Sequence, residues 1–172
     1  MSDAQLTPGP LAGLRILELA DETGQFCGKL LGDLGADVVK IEPPGGEPNR
    51  RVGPFLDDIP HPERSLSFWY YNTSKRGITL DLETHDGRQL FARLTATADV
   101  ILETFRPGFL PSLGLGYDSL LRNNARLILC ISGHGGGYYA GHHQHRLHKR
   151  TPAFVWWPAN TMPVGTEAQI RP

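Results

Sequence analysis

Cysteine is scarce: Cys27 and Cys130 are the two in 172 residues, too few for a disulfide framework. Each lies in an apolar stretch, so both are expected to be buried thiols. Long hydrophobic runs are missing as well, since none approaches the roughly 20 residues that a membrane helix needs. Residues 1–10 carry neither a basic start nor the hydrophobic stretch of a signal peptide. These absences lead to the expectation of a cytoplasmic protein with no membrane partner. HExxH, GxSxG and P-loop signatures do not occur, which removes the main support for zinc-peptidase, serine-hydrolase and nucleotide-triphosphatase readings. Acidic residues also run out: after Asp118 there is one, Glu167, and no further aspartate.

What is present, with 40% hydrophobic residues, suits one globular domain with a sizeable core. The formal net charge of -1 conceals a swing, because residues 1–118 hold 17 acids against 11 Lys and Arg, and residues 119–172 hold one acid against six. Five of the seven histidines fall between His134 and His148. Such a swing marks either a basic tail with its own partner or a segment of different origin. Neutral imidazole is a common metal ligand, yet His134, His142, His143, His145 and His148 come without cysteine or a placed carboxylate. Adventitious metal affinity is expected there and no designed metal site. One function class stays open on these residues: a non-enzymatic binding module whose histidine-rich basic tail engages a metal or an acidic partner.

Alternating apolar residues over 14–19 predict a strand. Asp21 then offers an N-cap, and Phe26, Leu30, Leu31 and Leu34 recur at helical spacing across 24–34 before Gly35 closes the helix. The β-branched run 36–42 predicts a second strand, stopped by Pro43-Pro44-Gly45-Gly46. That completes a βαβ unit, parallel by the crossover rule. Residues 43–67 lack periodicity and predict a long surface loop of the kind that contributes to sites. A third strand is expected at 77–82 and a helix at 85–98, with Leu90, Phe91, Leu94 and Ala98 on one face. A fourth strand at 100–103, short helices at 107–113 and 117–124, and a fifth strand at 126–132 follow. The fold class is therefore α/β, a Rossmann-like parallel sheet with helices on both faces. Beyond Gly133 neither period persists, so an irregular tail is expected.

Gly24, Gly28 and Gly32 stand four apart on the first helix. A dinucleotide fingerprint needs its first glycines in the turn before the helix, so close packing of helix on sheet is the better account. Residues 72–77 precede a strand and residues 104–108 follow one, which puts cations and backbone donors at sheet ends. Ligands of open α/β sheets bind outside the carboxyl ends of the strands. Arg106 offers a guanidinium for phosphate, and Phe105 beside it offers a ring for stacking a base.

Residues 31–46, Leu-Gly-Asp-Leu-Gly-Ala-Asp-Val-Val-Lys-Ile-Glu-Pro-Pro-Gly-Gly, resemble the class III coenzyme A transferases, the family of formyl-CoA transferase, carnitine CoA-transferase and α-methylacyl-CoA racemase. Residues 72–81 are similar to the family's Asn-x-x-Lys-Arg segment with its Leu-Asp end, residues 99–115 to its Phe-Arg-Pro-Gly…Leu-Gly-Leu block, and residues 125–133 to the strand after it. The likeness runs in order from Leu11 to Gly141 and sets the expected division. Residues 1–141 form a Rossmann-like CoA-transferase N-terminal domain, incomplete relative to the family, and residues 142–172 an irregular basic tail containing His and Trp.

The resemblance implies an acyl-CoA transferase that moves coenzyme A between carboxylic acids, with acyl-CoA and a carboxylic acid as partners, no required cofactor and no nucleic acid. Coenzyme A then lies across the Rossmann-like domain, with Leu80, Thr104, Phe105 and Arg106 as binding residues and Lys75 and Arg76 as nearby cations. Pro43 and Ser112 stand where other members have arginine, so phosphate contacts at those positions drop out. In the family an aspartate attacks the acyl-CoA carbonyl to form a mixed anhydride, which is covalent catalysis by a carboxylate. Its place falls near Arg146 here, and no catalytic residue is assigned. The chain is expected to be a truncated form lacking the nucleophilic aspartate and inactive by itself, as a transferase or as a racemase. Members of the family interlock as homodimers, an assembly this short chain is not expected to form. A reading-frame change in the gene would account for the charge swing and the loss of pattern after His143.

Overall fold

The computed structural model describes residues 8–131. Five strands make one sheet: β1 (Arg15–Leu19), β2 (Asp37–Glu42), β3 (Lys75–Thr79), β4 (Val100–Glu103) and β5 (Ile128–Ile131). All neighbours are parallel and the order is β3-β2-β1-β4-β5. The helices are α1 (Gln25–Asp33), α2 (Leu66–Asn72), α3 (His85–Thr95), α4 (Phe109–Ser112) and α5 (Tyr117–Asn123). The α/β architecture is thus the expected one. Residues 132–172, among them the tail expected at 142–172, lie outside the described residues.

The two faces of the sheet differ in chemistry because side chains alternate along each strand. Leu17, Leu19, Val39, Ile41 and Ile101 point to one side and join Phe91 of α3, Leu110 of α4 and Leu120 of α5 in the main apolar cluster. Ile16 and Val38 point to the other side, where Leu31 of α1 packs on them. Continuing along that second face, Glu18, Lys40 and Glu42 are buried. One half of the face is therefore apolar and the other ionic.

Two expected elements need correction. First, the segment read as loop to residue 67 ends in α2. Ser65 is its N-cap, accepting the Phe68 N–H at 3.1 Å while its hydroxyl donates to the Val52 carbonyl at 2.6 Å. Second, β3 begins at Lys75 rather than Gly77, because Ser74 takes a positive φ of 62° and turns the chain from α2 directly into the strand. The close packing of α1 on the sheet expected from Gly24, Gly28 and Gly32 is present, while Phe26, Leu30 and Leu34 lie away from the sheet, each about half exposed. The glycine side of α1 lies on the sheet instead, and a Cβ on Gly24 or Gly32 would press on Thr104 or on the Ser74 backbone. Cys27 is exposed and Cys130 half-buried, neither in a disulfide, so the expectation of two buried thiols fails at Cys27. Among the described residues no helix is long and apolar enough to cross a membrane.

Candidate functional site

The strand order makes β1 the pivot: the chain runs from β1 outward through β2 to β3 on one side, and through β4 to β5 on the other. Between β1 and β4 the connections diverge, and in an open α/β sheet it is at such a point that the ligand crevice lies, outside the carboxyl ends of the strands. Asp21 and Thr104 meet at that point. The Asp21 N–H donates to Thr104 Oγ1 at 2.9 Å, and Asp21 Oδ1 accepts the Thr23 N–H and hydroxyl at 3.0 and 2.6 Å. The tether fixes the entrance to α1 against the exit from β4. Gly24 is required there, since an added Cβ would sit 2.6 Å from Thr104 Cγ2 and 2.8 Å from Ala20 Cβ.

Glu103 ends β4 with 3% of its surface exposed. Its carboxylate accepts the Phe105 N–H at 2.6 Å. Burial pushes the Glu103 carboxyl up to about 7, against the smaller opposing effect of that backbone donor. It takes part in no ion pair among the described residues. A carboxyl that changes charge near neutrality therefore sits at the carboxyl end of β4.

The residues proposed from sequence divide between two rims. Thr104, Phe105 and Arg106 follow β4 on the carboxyl rim. Arg106 is exposed, and the Phe105 ring is half-buried against Phe109, centroids 4.6 Å apart. Leu80 follows β3 on the same rim, donates its N–H to the Glu42 carbonyl at 2.8 Å and packs at the border of the main cluster. Lys75 and Arg76 open β3 and so lie toward the amino rim. Lys75 Nζ is buried against Glu18 at 2.8 Å, the Gln25 carbonyl at 2.9 Å and Asn72 Oδ1 at 3.0 Å. Arg76 pairs with Asp37 at 2.6 Å, where Arg15 also pairs. The structure does not bring these two cations to Thr104 and Arg106, because residues that open one strand of a parallel sheet and residues that follow another sit at opposite ends of the sheet.

Sequence reasoning missed a buried ionic network on the α1 side. Glu18 and Lys40 are cross-strand partners in register, 3.2 Å apart, and Lys40 also meets Glu47. Gln25 bonds Glu47 and Asn49, the side chain of Arg50 grips Glu42 at 2.6 and 2.8 Å, and its guanidinium lies 3.9 Å from the centre of the Phe68 ring. Burial lowers the affinity of Lys75 for its proton and raises that of Glu47, while Arg50 overcomes burial to keep Glu42 below its ordinary value. The network fastens segment 43–65 to the carboxyl end of β2. Its signal was available in Leu-Glu-Leu and Val-Lys-Ile-Glu, charges at alternate positions of strands that are otherwise apolar.

The sequence and fold are shared with known proteins. The chain is 45% identical over 114 residues to the succinyl-CoA:(R)-benzylsuccinate CoA-transferase subunit BbsE of Thauera aromatica, covering 66% of this chain and 28% of that one. It is 42% identical over 137 residues to the succinyl-CoA–D-citramalate CoA-transferase of Chloroflexus aurantiacus, covering 77% and 33%. Among solved structures, Rv3272 of Mycobacterium tuberculosis superposes with a TM-score of 0.66 at 40% identity, covering 73% of this chain and 35% of that one. A CAIB/BAIF family protein of Brucella suis gives 0.66 at 41%, covering 73% and 33%. The chain spans about a third of the length of the curated relatives it matches. Residues 11–147 match the family model for CoA-transferase family III, and with more than half of its length inside that match, this chain belongs to CoA-transferase family III.

Proposed function

We propose that this chain supplies the carrier-holding part of a class III CoA-transferase, in which acyl-CoA and a carboxylic acid exchange coenzyme A. The observation that carries the reading is the divergence of the connections at the carboxyl ends of β1 and β4, flanked by the Asp21–Thr104 tether and the exposed Arg106, in a chain of this family. Arg106 pairs with a phosphate of the carrier in a charge-assisted contact, and Phe105 and Leu80 offer apolar surface to it. Leu80 and Thr104 follow strands three interstrand spacings apart, about 14 Å, a span suited to an extended carrier. Lys75 and Arg76 are left out of this reading, since Glu18 and Asp37 already occupy them.

Transfer begins when a carboxylate attacks the thioester carbonyl, forming a C–O bond as the C–S bond breaks and the carrier leaves as thiolate. No aspartate stands in residues 119–172, so this chain by itself holds the carrier and turns nothing over. The same reading keeps residues 1–141 as the carrier domain and 142–172 as a tail, and places the protein in the cytoplasm. Two of the relatives named above carry benzylsuccinate and citramalate in their names, acids bearing two carboxylates, and on their model the acid partner is taken to be dicarboxylic.

Isothermal titration of the 172-residue chain with coenzyme A tests the proposal. Binding is expected in the wild type, weakened about tenfold in Arg106→Met, which corresponds to about 1.4 kcal/mol, with a shallower dependence on salt. A wild-type chain that shows no heat with millimolar coenzyme A sinks it.

A further inference from the structure

The segment that leaves the carboxyl end of β2 encloses an open cavity of about 280 Å³ lined by Arg51, Phe55, Pro60, His61 and Pro62. Its walls are apolar, and its polar groups are one guanidinium and one imidazole. The other cations of the segment are committed, Arg50 to Glu42 and Glu63, and Arg64 to Asp57. Arg51 instead donates to the Gly45 carbonyl at 3.2 Å and enters no ion pair among the described residues. His61 Nδ1 accepts the Glu63 N–H at 3.1 Å, so a neutral ring carries its proton on Nε2 as a second donor.

We infer that this cavity binds the non-reacting carboxylate of a dicarboxylic acid, with Arg51 as its ion partner and Phe55, Pro60 and Pro62 against the carbon chain. The inference rests on the transferase reading above and adds to it where the acid is held. The chemistry of exchange selects this role. The carboxylate that becomes a thioester gives up its charge, so a cation that holds the acid both before and after transfer must hold the other end. The apolar walls take the carbon chain, and a monocarboxylic acid of equal length leaves Arg51 unmatched. A volume near 300 Å³ is at the small end for ligand sites and suits a short acid.

The test uses the 172-residue chain and chemical-shift titration with glutarate and with pentanoate. Glutarate is expected to shift the amides of Arg51, Phe55 and His61 and to saturate, with pentanoate at least tenfold weaker. Arg51→Met, exposed and outside the buried ionic network, is expected to keep the wild-type melting temperature and to lose glutarate binding tenfold or more while keeping coenzyme A binding. Equal binding of the two acids, glutarate binding undiminished in Arg51→Met, or no glutarate binding overturns the inference. Displacement of glutarate by free coenzyme A overturns it too, by giving the cavity to the carrier's phosphates. If glutarate binds as expected and coenzyme A does not bind at all, the transferase reading falls while the cavity assignment stands.

Discussion

Replacing Glu103 with Gln should make the protein more stable, and by an amount that depends on pH. The folded carboxyl titrates at about 7 against 4.5 for an ordinary glutamate, because burial at the end of β4 disfavours its charge. A carboxyl raised in this way binds more protons folded than unfolded between those two values. Its contribution is therefore most favourable below about 4.5 and is lost as the pH rises to about 7. At about 1.4 kcal/mol per unit, the interval amounts to about 3 kcal/mol, an upper figure because the strand end lies near the rim. For a domain of this size that corresponds to a shift of about 10 °C in melting temperature. Glu103→Gln keeps an oxygen to accept the Phe105 N–H and never ionises, so it should melt with the wild type at pH 4.5 and well above it at pH 8. Calorimetric scans of both proteins across this range give the difference, which isolates Glu103 from Glu47, raised by burial in the same sense, and from Asp37 and Glu42, which are lowered. An offset between the two proteins that is the same at pH 5 and pH 8 would refute the argument that the wild-type carboxyl is held in its neutral form.

Lys75→Met should cost about 3–5 kcal/mol in urea denaturation, since it strips a buried carboxylate of its nearer cation, and adding Glu18→Gln should recover part of the loss in a double-mutant cycle. A cost below about 1 kcal/mol, the range of an exposed pair, would mean that the Glu18–Lys75 contact is solvated. Gly28→Ala should destabilise by more than about 2 kcal/mol, although alanine favours helix by about 1 kcal/mol, because its Cβ falls on the Glu18 carboxylate and lies 3.3 Å from Lys75 Nζ. Gly116→Ala is the control: its φ is -66° and an added Cβ would meet Pro111 at ordinary distances of 3.5 to 3.7 Å, so circular-dichroism melts should separate the two variants clearly.

Five strands were legible in the sequence because β-branched runs ended at Pro-Pro-Gly-Gly, at Thr-Phe-Arg-Pro-Gly and at single glycines, and such stops act through local backbone geometry. The helix at Leu66–Asn72 was hidden by its content: Phe, Trp, Tyr, Tyr and Asn carry little helix preference, and what holds the helix is a Ser65 cap anchored to Val52, a contact across thirteen residues of chain. Phe26, Leu30 and Leu34 showed a helix by their spacing, and Gly24, Gly28 and Gly32 showed which side of it packs closely on the sheet. Periodicity finds a stripe but cannot say what covers it, and here the glycines claimed the sheet so that Glu18 and Lys75 could lie beneath them.

The sequence by itself determined the alternation of strands and helices, the membership of a family and the sets of residues that sit at strand ends. Only the tertiary structure decided which end of the sheet each set occupies. Lys75 and Arg106 look equivalent as cations beside strands, yet strand direction and order send one into a buried ion pair and leave the other exposed on the carboxyl rim. The charge of a side chain is a property of the residue, whereas its partner depends on which strands pair and in what register. That pairing is settled by contacts between residues far apart in the chain, as Glu18 shows by meeting Lys40 and Lys75 at separations of 22 and 57 residues.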